Sequence, residues 1–478
     1  MNIVKKSELK VWKKVLFVYA AIVLYSVLFF AISGKDVFLK QMTSDSVNQI
    51  DNFGELSDGM VVHQSFSNEA AEISSLSVNI GTYERVNQGV LHVQLMDGDA
   101  VLGEIQVDIN ALKHGDNLLS FSEPVKVEPG MTYVINLFTA GTSPGKGITM
   151  YYGNASSDQN NYLMLNDQKL DKKQLVYQMN YKKYDPLGNI LFTGSILFLI
   201  LLGLYILHMK KADEAGKNTV GMSILKSYHR YSFLMEQLVM REFKVRYKRS
   251  VLGILWSFMN PILVMIVQFF VFSLIFRSNI PHYIVYLLIG ITFYNFFNES
   301  TNGGMLSIVQ NASLIKKVYV PKYIYPLSKI LSSMINFCIG LFLLLVVTLL
   351  EGIPLNQYMI LIPYAVICVI ILSSGVAFIL TTGMTFFRDV QFIYSVFLTM
   401  LTYMTPLFWD LAMIPSKYLW VFKCNPLCDI ILFVRSIILY GVYPGTDVVL
   451  LSIIGPIIIL IIGILIFRKN QDKFILYI

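Results

Sequence analysis

Between residues 241 and 261 a dense group of cations runs straight into an apolar segment, and this junction restricts the fold more than any other stretch. Arg241, Lys244, Arg246, Lys248 and Arg249 lie within nine residues, and the run Val251-Leu252-Gly253-Ile254-Leu255-Trp256 follows at once. Positive charge beside a hydrophobic segment stays on the cytoplasmic side of a membrane, so the junction marks a span and also orients it. The chain is 55% hydrophobic and 14% charged, on the membrane side of the averages for globular proteins. Its net charge of +7 sits mostly beside apolar runs. Membrane topology therefore accounts for the charge, and nucleic acid is not an expected partner.

Read in order, the chain divides into five pieces. Residues 1–33 form a lysine-bearing tail and a first anchor; the apolar run from 15 to 33 just reaches across a hydrocarbon core of about 30 Å. The rival is a signal peptide cleaved near Ala31-Ile32-Ser33, but the run is long for that and a second span follows. Residues 34–186 change character. Strand-like pieces at 73–80, 90–96, 101–109, 118–121 and 133–138, with clear alternation in Val90-Leu91-His92-Val93-Gln94-Leu95 and turns such as Asp97-Gly98-Asp99 and Pro129-Gly130 between, predict an all-β sandwich. A second anchor span occupies 187–209. Residues 210–253 are a basic linker in which Leu234, Met235, Leu238, Val239 and Phe243 form one stripe, predicting an amphipathic helix lying in the membrane interface.

Residues 254–478 carry six more apolar runs, at 254–276, 283–303, 326–350, 358–386, 391–409 and 446–467. Lys316, Lys317, Lys322, Arg388, Arg468 and Lys469 fall on alternate loops. The expected fold is thus a multi-pass α-helical membrane protein of about eight spans, with both termini cytoplasmic and the inserted β-domain extracellular. Within 410–445 the apolar stretch at 429–440 is too short to cross and contains Asp429 and Arg435, so it is expected to be a re-entrant hairpin entering from outside.

Catalytic chemistry is missing from the pattern. No phosphate loop, dinucleotide fingerprint or H-E-x-x-H occurs, and Asp97-Gly98-Asp99 reads as a hairpin turn. The cysteines Cys338, Cys368, Cys424 and Cys428 have neither zinc nor redox spacing, and the β-domain has none. No metal site or catalytic residue is expected.

From about residue 232 onward the chain resembles the membrane permease of ABC transporters that export polysaccharides such as O-antigens, capsules and teichoic acids. The ordered motifs are the 241–261 junction; Asn311-Ala312-Ser313-Leu314-Ile315-Lys316-Lys317-Val318-Tyr319-Val320-Pro321; Phe387-Arg388-Asp389-Val390; Thr405-Pro406-Leu407-Phe408-Trp409; then Asn425-Pro426-Leu427 and Arg435. The resemblance implies a homodimer working with two copies of a separate ATPase. That subunit uses ATP and Mg, and this chain holds no cofactor. Asn311, Leu314, Lys316, Lys317, Val318 and Tyr319 would be the coupling helix that docks on it, although a lysine pair between spans also serves topology alone. Arg241, Lys244, Arg246, Lys248 and Arg249 would belong to a gate helix meeting a lipid-linked pyrophosphate; attraction to anionic membrane lipids selects the same residues. Asn425, Pro426 and Arg435 would shape an outer hairpin. Phe387, Arg388 and Asp389 would be a second cytoplasmic turn, read more simply as an exposed ion pair. Aromatics such as Phe258, Phe269, Phe270, Tyr294, Phe296 and Phe297 are candidates for a glycan path, with packing as the plainer explanation.

The chain departs from the family at its front, where the anchor, β-domain and returning span are additions. Exporters of other amphiphiles, a membrane glycosyltransferase and a β-domain receptor are the competing functions. The spans hold almost none of the paired acids that the glycosyltransferase needs.

Overall fold

The computed structural model describes residues 2–67, 69–155, 161–166, 168–247, 253, 255–275, 280–318 and 320–478. It separates into two compact units, Lys35–Asn189 and Met1–Gly34 with Ile190–Ile478.

The first unit is built from alternating strands. In one antiparallel sheet the order is Leu39–Thr43, Tyr177–Tyr184, Ala70–Gly81, Thr149–Asn154 and Lys173–Leu175, with Gly115–Lys126 also pairing with Ala70–Gly81 and Asp51–Asn52 with Thr149–Asn154. The other sheet runs Gln168–Leu170, Leu163–Leu165, Val61–Ser67, Thr132–Ala140, Val90–Asp97 and Ala100–Asp108. Period-2 alternation places Leu91, Val93 and Leu95 of the second sheet in the same apolar core as Ile73, Leu76 and Val78 of the first. Each of the five strand-like segments lies largely inside a strand. The strands Leu39–Thr43, Val61–Ser67, Thr149–Asn154 and Tyr177–Tyr184 escape the pattern, being short or rich in polar residues.

The second unit is helical. Its helices are α1 (Asn2–Ser33), α2 (Pro186–Glu214), α3 (Val220–Tyr247), α4 (Leu255–Phe269), α5 (Tyr283–Gln310), α6 (Ala312–Ile315), α7 (Ile324–Leu350), α8 (Ile362–Phe386), α9 (Val390–Met404), α10 (Leu419–Lys423), α11 (Pro426–Ile438) and α12 (Thr446–Asn470). Six helices among the described residues are long and apolar enough to cross a membrane: Val11–Phe38, Pro186–Glu214, Leu255–Phe272, Ile324–Leu350, Gln357–Phe386 and Thr446–Leu476. The other two expected spans have a different character. Helix α5 is long, but it carries Asn295, Asn298, Glu299 and Asn302. Most of its side chains meet protein, among them Phe293, Phe296 and Phe297. Helix α9 stops at Met404 because the chain leaves helical geometry at Thr405, ahead of Pro406. Its 15 residues extend about 22 Å, short of a hydrocarbon core.

Helices α8 and α12 touch backbone to backbone at Gly375, where a Cβ would come 2.6 Å from the Leu460 amide nitrogen. Small residues are what allow helices to approach this closely in lipid, where dispersion rather than water exclusion holds them. Helix α1 is also tied into this unit. The Tyr25 hydroxyl donates to the Leu361 carbonyl at 3.2 Å and accepts from the Tyr364 amide at 3.0 Å. Phe29 lies 6.0 Å from the Tyr364 ring, which in turn lies 5.0 Å from Phe433 of α11.

Candidate functional site

One end of the helical unit collects residues that lie far apart in sequence. Asn311 turns the chain from α5 into α6: its amide donates to the Ile308 carbonyl, and its own carbonyl accepts from Leu314 and Ile315. Its side chain clamps this turn, with Nδ2 donating to the Ser307 carbonyl at 2.8 Å and Oδ1 accepting from Arg241 Nη2 at 2.9 Å. Helix α3 is thereby fastened to the α5–α7 loop. Ile315 and Val320 are buried, Leu314 is half-buried, and Lys316, Lys317 and Val318 face outward between these anchors. Tyr319 lies outside the described residues.

The α3 stripe meets protein. Leu238 is buried, and Leu234 and Met235 pack with it against Ile308, Ile315 and Tyr325. Periodicity reveals an apolar face but not its neighbour, and here part of that face is covered by protein. Of the five clustered cations, Arg241 is engaged by Asn311 and Glu242, and Lys244 is exposed. The Arg246 side chain, Lys248 and Arg249 lie outside the described residues.

Glu242 bridges α3 to α7. Its Oε2 lies 2.8 Å from Lys329 Nζ and its Oε1 3.1 Å from Arg241 Nη2. Burial disfavours the carboxylate, but Lys329 and then Arg241 outweigh it and hold the group below its ordinary value of 4.5. A depressed carboxyl contributes stability that is present above its unfolded value and lost as pH falls through the folded one. The protein is therefore expected to lose thermal stability more steeply below pH 4.5 than a Glu242→Gln variant. Melting curves of both proteins from neutral pH to about pH 3 check this, and parallel curves contradict it.

The chain's last segment closes the same end. Phe474 is fully buried, 5.3 Å from Phe467 and 5.9 Å from Phe386, and Lys322 Nζ donates to the Gln471 carbonyl at 2.7 Å. Phe386 brings α8 to this cluster, so Phe387, Arg388 and Asp389, all exposed, emerge beside it. Sequence reasoning misses Phe474 and Lys322 as structural elements because positive charge after a span reads as topology alone.

At the opposite end lies a second hub. Arg435 on α11 is 2% exposed and among the largest fully buried side chains. Its Nη1 donates to the Pro406 carbonyl, and its Nη2 to the carbonyls of Leu407 at 3.1 Å and Tyr286 at 3.2 Å. The guanidinium lies over the Tyr286 ring, 3.3 Å from its centroid. Tyr283 donates to the Phe408 carbonyl at 2.7 Å, and Asn425 Nδ2 to Thr405 Oγ1 at 3.0 Å. Asn425 Oδ1 also caps α11 through Leu427 N, with Pro426 at the position where a missing N–H costs nothing. The Thr405–Trp409 break, the Asn425-Pro426 corner and Arg435 are thus one assembly. Tyr283 and Tyr286 complete it, although nothing in their sequence context singles them out.

Between α4, α5 and α7 lies a cleft of about 500 Å³ lined by Ser257, Asn260, Asn295, Asn298, Glu299 and Asn336, with Trp256, Phe296 and Phe337 alongside. Asn336 Nδ2 donates to both Glu299 oxygens, at 3.0 and 3.2 Å. An acid among apolar helices is expensive unless it is partnered or serves a path. Glu299 escapes a reading of the sequence because Asn336 lies on a different helix. Of the aromatic candidates, Phe296 lines this cleft, Tyr294, Phe296 and Phe297 are buried, and Phe270 is exposed. Among the described residues no group of three or more His, Cys, Asp or Glu is placed to hold a metal ion.

This multi-pass helical membrane unit is a transport permease, a transporter subunit and not an enzyme, as its family and relatives show. The chain belongs to the ABC-2 type transporter family, whose pattern matches residues 234–439. It is 32% and 33% identical to two O-antigen export system permease proteins of Klebsiella pneumoniae, each matched over 98% of its own length by 52% and 53% of this chain. The polysialic acid transport protein of Escherichia coli is 23% identical over 93% of its length, matched by 50% of this chain.

Proposed function

We propose that this chain is the permease subunit of an ABC exporter that moves a lipid-linked polysaccharide outward across the plasma membrane. The observation that carries the reading is its identity of about one residue in three to O-antigen export permeases along 98% of their length. Two copies of the chain pair with two copies of a separate ATPase, which supplies the ATP and Mg chemistry. Helices α1, α2, α4, α5, α7, α8 and α12 are seven crossings, and α9 makes the eighth together with the Thr405–Trp409 stretch that follows it; both termini are cytoplasmic, the β-domain is outside, and α10 and α11 form the outer hairpin.

In this arrangement Lys316, Lys317 and Val318 are the surface that meets the ATPase, with Phe387–Asp389 nearby. Their exposure over buried anchors supports that role. Arg241 braces the loop, and the exposed Lys244 takes the phosphates of the carrier lipid, a role that the sequence extends to Arg246, Lys248 and Arg249. The cleft around Glu299 and Asn336 offers hydrogen-bond acceptors, donors and aromatic faces, the groups on which sugar rings are held. The test is co-expression with the ATPase, purification in mild detergent, and an assay of surface glycan in cells lacking this chain. The expected result is a stable complex and intracellular accumulation of the glycan. Failure of any ATPase to co-purify, with surface glycan unchanged, would sink the reading.

A further inference from the structure

The β-rich unit contains a cavity of about 670 Å³ at the end where its two chain ends leave it. Lys35, Glu72, Lys126 and Asp185 contribute charge to its lining, and Phe38 and Val127 contribute apolar wall. Asp185 is 7% exposed. Its amide donates to the Phe38 carbonyl at 2.8 Å, and its Oδ1 accepts from Leu187 N at 3.0 Å at the start of α2. Its other oxygen, Oδ2, is buried and has no hydrogen-bond partner among the described residues. A carboxylate oxygen held in this way is incomplete without a donor. Across the register, Glu72 sits opposite Lys126, and Lys35 is also in the lining, so the cavity offers two cations beside two carboxylates, one of them nearly buried.

Those groups select a ligand that carries a negative phosphate and, a few ångströms away, an N–H-bearing cation. The flanking chain says where such a ligand is found. The apolar helix Val11–Phe38 ends in this lining, and the apolar helix Pro186–Glu214 begins in it. If both helices cross the membrane, Lys35, Asp185, Pro186 and Asn189 lie within a few residues of the lipid headgroups. The geometry points to a binding site for a phosphoethanolamine group, as borne by phosphatidylethanolamine of the outer leaflet, with the phosphate on Lys35 and Lys126 and the ammonium drawn to the Asp185 carboxylate. The inference rests on α1 and α2 crossing the membrane and not on polysaccharide export, so either can fail alone.

The test uses the full-length protein in detergent and native mass spectrometry with short-chain phosphatidylethanolamine, phosphatidylcholine and phosphatidylglycerol at equal concentration. Wild type should retain phosphatidylethanolamine about ten-fold over the other two, because the quaternary ammonium of choline cannot donate a hydrogen bond and glycerol carries no charge. Asp185→Asn keeps an acceptor for Leu187 N while removing the carboxylate charge, and should abolish that preference. Lys126→Gln, at an exposed position, should weaken all three lipids and serves if Asp185→Asn fails to fold. Free O-phosphoethanolamine retained as well as the lipid supports the headgroup site and assigns its ligand to a soluble or glycan-borne source. Equal retention of the three lipids by wild type, or an unchanged preference in Asp185→Asn, overturns the proposal, as does unchanged retention in Lys126→Gln.

Discussion

Replacing Arg435 with methionine is expected to abolish export and to lower the melting temperature by several degrees. The methionine has similar length, so packing volume changes little, but the buried Leu407 carbonyl loses its donor, while the Pro406 carbonyl keeps only the Tyr286 hydroxyl and the Tyr286 carbonyl only its helical bond. An orphaned buried acceptor costs about 1–3 kcal/mol, and for a domain of ordinary stability that alone is a sizeable fraction of the whole. The loss also removes the central tie between the Thr405–Trp409 break and α11, leaving only the Asn425–Thr405 bond at the corner. Arg435→Lys keeps the charge but offers one point donor in place of a fork and does not stack on Tyr286, so it should rescue only part of the stability. Thermal unfolding in detergent and a surface-glycan assay read the two effects. An Arg435→Met protein with the melting temperature and export of wild type would show that the Leu407 carbonyl finds another donor, and the hub would lose its meaning.

The double charge reversal Lys316→Glu/Lys317→Glu should do the opposite: leave the fold intact and uncouple the machine. Both side chains are exposed, while Ile315 and Val320 hold the loop from beneath. Exposed substitutions of this kind shift stability by about 0.5 kcal/mol or less, but facing charges of the wrong sign across an interface cost several kcal/mol. Stimulation of the ATPase by the permease should therefore fall about ten-fold or more, with an unchanged melting temperature. Retained stimulation would reduce the lysine pair to a marker of topology, leaving Val318 and the Phe387–Asp389 turn as the places to look for the contact.

Local pattern discloses a good deal of this molecule. Strands announce themselves by period-2 alternation, as at Leu91, Val93 and Leu95, and the α3 stripe by its helical spacing. The short apolar stretch around Arg435 declares itself too charged and too short to span, but the expected run 391–409 passes straight through Thr405-Pro406, where the helix in fact ends at Met404. What stays hidden is which partner each face meets. An apolar stripe looks the same whether lipid or the Ile308–Tyr325 surface covers it, so α3 reads as interfacial. Helix α5 is rich in Phe and Tyr for a similar reason: a helix surrounded by protein and one surrounded by lipid both favour large apolar residues. The polar links Arg241–Asn311 and Glu299–Asn336 join different helices, and no spacing rule connects such pairs. The topological logic of positive charge also conceals structure, since Lys322 holds down the C-terminal segment besides marking a side.

Through the Tyr25 hydroxyl, the first helix takes part in starting a helix of the permease half. Tyr364 is the third residue of α8, and the first amides of any helix have no carbonyl of their own helix to reach. Such a group is usually capped by a neighbour in sequence, yet here the acceptor comes from a residue 339 positions away, on the anchor. The Tyr364 hydroxyl in turn reaches the Val449 carbonyl of α12 at 2.6 Å, so one long-range cap steadies two core helices at once. A permease trimmed of its first helix would begin α8 with an open amide, a loss of about 0.5–2 kcal/mol. Helix α1 therefore acts as a splint on the helical core and not as a detachable tether.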